Sequence, residues 1–206
     1  MTFDSASRSD AFPAGIAGLP AQDLPAVVRV DARLKLHVDR HQGATRLTER
    51  REAGAFRFRF PRAHGRAPEA ILVNIAGGLA GGDRVTSDIA VGEGAALSVS
   101  SAAAERIYRS AGDATRICMT LDVAAGATAV WLPQETILHD GARADRRFAI
   151  HLAEGASLVF GEMLFFGRRA SGEGYGRGHL RESWRVRRAG RLILADAIVR
   201  ACEDSP

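Results

Sequence analysis

"IAVGEGAALSV" (residues 89–99), "LDVAAGATAVW" (121–131) and "IHLAEGASLVF" (150–160) are three renderings of one pattern. Each reads apolar, any residue, apolar, two small or polar residues, Gly, Ala, and then a second apolar-rich run. The glycines, Gly94, Gly126 and Gly155, recur at intervals of 32 and 29 residues. Looser copies surround Gly54 in "REAGAFRFRF" and Gly190 in "VRRAGRLIL". A glycine three residues after a strand's last inward apolar side chain suits a tight loop, because such loops require a residue at positive φ. The pattern predicts two strands per unit, joined as a hairpin. Outside the units, "RLKLHV" (33–38) and "FRFRF" (56–60) alternate with a period of two, one apolar and one polar face each. A helical period is not sustained; "SAAAERIYRS" (101–110) is the best short-helix candidate, with a loop as the alternative. Hairpins repeating at about 30 residues predict an all-β chain, a β-helical, solenoid-like stack of antiparallel hairpins with little helix. An ordinary β-sandwich is the competing arrangement.

The 206 residues suit one domain, taken as 27–206. Residues 1–26, rich in Ala, Ser, Gly and Pro, carry neither a basic leader nor a continuous apolar segment. They read as a flexible tail rather than a secretory signal, and the protein as cytoplasmic. Hydrophobic content of 46% and charged content of 25% match soluble globular proteins, and no apolar run approaches the ~20 residues of a membrane span. Cys118 and Cys202 have no paired spacing, which argues against a thiolate zinc site and fits a reducing compartment. The net charge is +4, but Lys35 is the only lysine and the arginines are spread along a chain with 6% aromatics. That distribution argues against a nucleic-acid surface, which wants clustered cations interleaved with stacking rings.

The glycine-dense stretch "LVNIAGGLAGGDRV" (72–85) invites a nucleotide-site reading. Gly77 to Gly82 has the gap of a P-loop, yet Asp83 and Arg84 stand where that loop needs Lys and Ser/Thr, and a carboxylate there repels phosphate. The paired glycines have the wrong spacing for a dinucleotide fingerprint, and no helix follows to offer its N-terminus. A tight turn accounts for the glycines and leaves Asp83 without a role. His37 and His41 would share a face only in a helix; in an alternating strand running into "HQG" both are simply exposed. His139, Asp140 and Glu162 are polar groups beside apolar runs, equally consistent with function and with arginine ion pairs. No G-x-S-x-G elbow occurs, and a glycosidase-type carboxylate pair is neither excluded nor nominated.

Four stretches, in order and at these separations, resemble one family: "LVNIAGGLAGGDRV", "RIYRSAG" (106–112), "WLPQETILHDGARA" (131–144) and "GEMLFFGRRASGE" (161–173). They look like the D-type urease accessory protein, called H in some organisms, over residues 28–199. The resemblance implies a β-helical, non-enzymatic chaperone of nickel-urease maturation. It also implies that the chain docks on apo-urease, binds the F-type accessory protein and through it the G-type GTPase, and passes nickel along an internal water-filled tunnel. On this reading no cofactor is tightly bound, Ni2+ is in transit, no tight metal site is present, and neither nucleic acid nor membrane is a partner.

Carried over by position, Asp83 matches the acid ending the family's glycine motif, a tunnel-side residue. Glu105 falls at another tunnel position, where relatives can carry a smaller polar residue. Glu162 matches an acidic position of "GEMLFFGR", and Asp196 in "LILADAIV" falls where relatives place an acid. Gly77, Gly78, Gly81, Gly82, Tyr108, Arg109, Gln134 and Glu135 are the motif and partner-contact candidates. Hard carboxylate oxygens suit transient handling of a hydrated cation better than capture, for which His and Cys are preferred. The chain departs from the family at Ile75 and His139, and its end at "ACEDSP" implies that the family's C-terminal segment is lacking. The alternatives from other classes are a β-solenoid hydrolase acting on a carbohydrate-like substrate and a plain interaction module.

Overall fold

A computed structural model describes residues 29–62 and 68–202; the expected tail at 1–26 lies outside the described residues. The strands in chain order are β1 (Asp31–His41), β2 (Ala44–Ala53), β3 (Phe56–Arg59), β4 (Glu69–Asn74), β5 (Arg84–Val91), β6 (Ala96–Ser101), β7 (Glu105–Ile107) and β8 (Thr115–Val123). They continue with β9 (Thr128–Trp131), β10 (Thr136–Leu138), β11 (Arg143–Leu152), β12 (Ser157–Phe160), β13 (Leu164–Phe166), β14 (Gly178–Arg188) and β15 (Arg191–Cys202). One 3-10 turn, Arg169–Ser171, is the only helix among the described residues. No helix there is long and apolar enough to cross a membrane.

Three coils carry the fold. β5, β8 and β11 stack in parallel in one sheet, β6, β9 and β12 in a second, and β7, β10 and β13 in a third. The alignment of the three sequence units is their spatial register. Leu121 pairs with both Ile89 and Ile150, and Val123 with both Val91 and Leu152. Beyond the corner, Trp131 pairs with both Val99 and Phe160. The solenoid expectation holds, and the packing reason is plain: one coil cannot cover its inward apolar residues, whereas its neighbours can.

The strands within a unit differ from expectation. β5 and β6 belong to different sheets and make no ladder together, as do β8 and β9, and β11 and β12. The unit is therefore an arch, a corner between two walls, rather than a hydrogen-bonded hairpin. Each corner closes with an N–H donated to a carbonyl three residues back: Ala95 to Gly92, Ala127 to Ala124, Ala156 to Ala153. The third residue of each turn is the repeated glycine at φ +60°, +63° or +70°, a backbone that side chains resist. The alanine that follows is buried in all three coils, a small residue where two walls converge. True hairpins occur at the sheet edges. β1–β2 turns through Gln42-Gly43 and β14–β15 through Ala189-Gly190, with both loop residues at positive φ, as a two-residue hairpin loop matching strand twist requires.

Residues 101–110 do not form the short helix considered above. Ser101 ends β6 and Glu105–Ile107 is β7, because Ile107 pairs in register with Leu138, itself paired with Phe166. A ladder across three coils overrides the modest helix propensity of Ala, Glu and Arg.

The largest sheet runs β15-β14-β11-β8-β5-β1-β2, and its inward residues form the main core with those of β3, β4, β6, β9 and β12. A smaller apolar cluster of Ile107, Leu138, Ala142, Ala144, Tyr175 and Leu180 lies behind the third sheet. Ile117 packs against both clusters.

Candidate functional site

A cavity of about 260 Å³ opens where the clusters meet at Ile117, and its polar lining includes Asn74, Ser87, Gln134, Glu105, Arg146 and Glu162. Arg146 reaches it because its strand has the inward phase: Ala144, Arg146, Phe148 and Ile150 are all buried on β11. Glu182 stands beside it on β14, as the register partner of Arg146. Arg146 donates through Nη1 to Glu182 and through Nη2 to Glu162, which arrives from the corner between β12 and β13. The other oxygen of each carboxylate accepts from an indole, Trp131 Nε1–H to Glu162 at 2.7 Å and Trp184 Nε1–H to Glu182 at 2.8 Å, while the buried Arg146 Nε has no hydrogen-bond partner among the described residues. Buried charges persist only when paired and hydrogen-bonded in this way. The group still carries one more carboxylate than guanidinium, so its formal charge is negative at the cavity wall.

Glu105, at the start of β7, is the other cavity acid. Asn74 Nδ2 donates to both of its oxygens, at 2.9 and 3.1 Å, and the Arg106 N–H to one of them at 3.1 Å. Burial, opposed by these donors and by Arg146, pushes its carboxyl up from the ordinary 4.5 to about 7. The native chain then binds more protons than the unfolded chain between those values, so stability falls as pH rises through that window. The expected loss is at most about 3 kcal/mol between pH 4.5 and pH 8. Glu105→Gln should flatten this part of the profile, as read by urea unfolding across pH.

The four motifs are neighbours in space. Leu79 bridges to Ile107, and Tyr108 donates its O–H to the Gly77 carbonyl at 3.0 Å. A Cβ on Gly78 would lie 2.4 Å from the Tyr108 ring, and one on Gly81 1.9 Å from Ser110 Oγ and 2.4 Å from the Asp113 carbonyl. The His139 ring lies 4.8 Å from that of Tyr108, tilted by 57°, and Arg109 bridges to Ala142. Glu173 accepts the Asp140 N–H and binds Arg168. The glycines thus let successive coils touch backbone to side chain. Gly81→Ala is expected to cost roughly 2 kcal/mol, because Asp113 backbone must shift, measurable as a lower denaturation midpoint.

The predicted site residues separate into groups. Glu105 and Glu162 line the cavity, with Gly77, Gly78 and Gln134. Asp83 does not; it is buried at the foot of β5, where Oδ1 accepts the Val30 N–H at 2.9 Å and Oδ2 the Ala80 N–H at 2.7 Å. Asp196 lies on the exposed edge strand β15 and is not among the lining residues. Gly81 and Gly82 shape the Asp83 turn, Tyr108 and Arg109 are surface residues, and Glu135 supplies a carbonyl to the Glu105 N–H. Asn74, Arg146 and Glu182 belong to the site as well and are not among the residues the sequence points to. Arg146 and Glu182 each sit at the inward phase of an alternating strand, which is the signal that would have found them. No three His, Cys, Asp or Glu side chains come together to hold a metal ion among the described residues.

Fold and site together define a class, a parallel β-solenoid with a cavity whose charged lining is Glu105, Glu162, Arg106 and Arg146 and whose motif loops pack coil upon coil. The family model described as "UreD urease accessory protein" matches residues 30–204, and the chain belongs to that family. It is 49% identical over 170 residues to the urease accessory protein UreD of Rhodopseudomonas palustris strain BisA53, covering 82% of this chain and 59% of the relative. It is 49% identical over 177 residues to UreD 1 of Methylobacterium radiotolerans, covering 85% and 61%, and 47% over 193 residues to UreD of R. palustris strain HaA2, covering 94% and 66%. The chain thus spans 59–66% of the length of these relatives.

Proposed function

We propose that the chain acts in urease maturation as a non-enzymatic scaffold, and that its cavity is a stretch of the path by which nickel reaches apo-urease. The observation that carries this is the pairing of family membership with a cavity whose lining holds Glu105, an acid outside the Arg146 ion group. The lining offers carboxylate and amide oxygens beside the guanidiniums of Arg106 and Arg146, with no thiolate or imidazole, a set that favours brief contact with a hydrated divalent cation over retention. A conduit must release its cargo. Apo-urease and the F- and G-type accessory proteins are the partners this role requires, with GTP handled by the G-type partner. The failure of "GGLAGGDR" as a P-loop agrees with that division of labour.

A hydrolase would need two cavity carboxylates free for acid–base work, and Glu162 is held by Arg146 and Trp131. The test is co-purification of this chain with apo-urease and the F- and G-type proteins, followed by activation with nickel and GTP. Recovery of one complex with nickel-dependent urease activity is the expected result. A chain that binds none of the three, or a complex that activates equally well without it, removes the proposal.

A further inference from the structure

The outer face of the large sheet carries arginines that the fold leaves without ionic partners. Arg84 and Arg116 are direct register partners on β5 and β8, and Arg116 is in turn opposite Asp145 on β11, which is opposite Arg181 on β14. Neighbouring parallel strands are about 4.8 Å apart, so two guanidinium groups stand side by side at a position where like charges disfavour the sheet. The acids of this row do not relieve them. Asp145 is bound by Arg147 at 2.7 Å, and Asp31, beside Arg84, pairs with Arg33 at 3.5 Å. Arg84, Arg116 and Arg181 are exposed and form no ion pair among the described residues.

The row continues into a concavity. Arg143, two residues before Asp145 on the same outward face, lines a basin of about 450 Å³ with Arg109, Arg177 and His179. Arg177 is engaged by Asp140, whereas the side chains of Arg109 and Arg143 have no ion pair among the described residues. A shallow basin with two uncommitted guanidinium groups beside a row of three more presents planar forks at several points, the geometry that bidentate carboxylate recognition uses.

We propose that this strip, Arg84–Arg116–Arg181 with the Arg109/Arg143 basin, docks a carboxylate-rich segment of a protein partner. Protein is favoured over nucleic acid by two features. The outward positions of β5, β8, β11 and β14 carry no Phe, Tyr or Trp on which a base would stack. Asp31 and Asp145 also interrupt the row, where a continuous phosphate backbone would meet them. A polypeptide places its acids at chosen intervals and avoids both.

The surface is separate from the cavity, so its test is independent of the nickel reading. The full chain is titrated with a fluorescent oligoglutamate peptide at low ionic strength and binding is read by anisotropy. The paired variants Arg84→Gln/Arg116→Gln and Arg109→Gln/Arg143→Gln should each weaken binding by about fivefold to tenfold, and added salt should abolish the difference. The variant Arg50→Gln/Arg51→Gln, which removes arginines already paired with Glu52 and Glu49 on β2, should change it less than about twofold. Thermal melts of each variant confirm folding, and Arg181→Gln alone serves if a double variant melts early. Absence of binding, an equal loss in the paired-arginine variant, or tighter arginine-dependent binding of a single-stranded oligonucleotide of matched charge would overturn the proposal.

Discussion

Replacing Arg146 with methionine is expected to lower the unfolding free energy by about 3–5 kcal/mol, a large share of the stability of a chain this size. Arg146 lies between Glu162 and Glu182, all three side chains being at most 5% exposed. Its loss strands two carboxylates with no other guanidinium donating to them; Glu182 lies away from the cavity and has no water to replace the lost partner, whereas Glu162 faces the cavity and is only partly rehydrated. The ion group as a whole need not be stabilising, since desolvation of three charges offsets much of their attraction. The triple variant Arg146→Met, Glu162→Gln, Glu182→Gln should therefore recover most of the loss, because Gln oxygens still accept from the Trp131 and Trp184 indoles. Urea unfolding of the single and triple variants checks both halves. A single variant as stable as the parent would mean that the carboxylates find other partners.

Asp83→Ala is the second large effect, at about 3–4 kcal/mol. One carboxylate satisfies two backbone donors, Val30 N–H from the segment just before β1 and Ala80 N–H within its own turn, and it is 4% exposed. Hydrogen bonds to a charged acceptor contribute roughly 1.5–3 kcal/mol each, and the alanine would leave both N–H groups unpaired. Asp83→Asn retains one good acceptor and should cost about half as much. Guanidinium unfolding measures the difference, and hydrogen exchange should show faster opening at Val30 and Ala80 than at β8 or β11. On this account any loss of urease maturation in Asp83→Ala accompanies loss of folded protein, which a thermal melt of the same sample reads directly.

Glycine and apolar spacing carried the coil architecture because both are local consequences of the arch. A corner needs positive φ at one residue and a small inward side chain after it, and stacked coils repeat the need at fixed intervals. What pairs with what was less legible. The step from Val91 to Ala96 looks the same whether the strands fold onto each other or diverge into two walls, since only the neighbouring coils decide. Residues 101–110 failed for the same reason, Ile107 being claimed by a ladder with Leu138 far along the chain.

In the site, motif position points to Glu105 and Glu162, which line the cavity, and equally to Asp83 and Asp196, which lie elsewhere. For Asp83 the burial of a carboxylate in a glycine turn has a backbone purpose, and its two N–H donors come from residues 53 and 3 positions away. Sequence spacing hints at the nearer one only. Arg146 and Glu182 were legible in principle from strand phase, but an arginine at an inward position reads as a break in the pattern until its partner is known.

The most direct test of the central claim is the nickel content of urease matured with Glu105→Ala in the assembled complex. Asn74 loses its acceptor in this variant, but the Arg146 group is untouched, so the complex should form normally and be recoverable by co-purification. The cavity reading predicts urease with several-fold less nickel per active site at limiting nickel supply, from complexes assembled in full yield. Wild-type nickel content from an intact Glu105→Ala complex would contradict it.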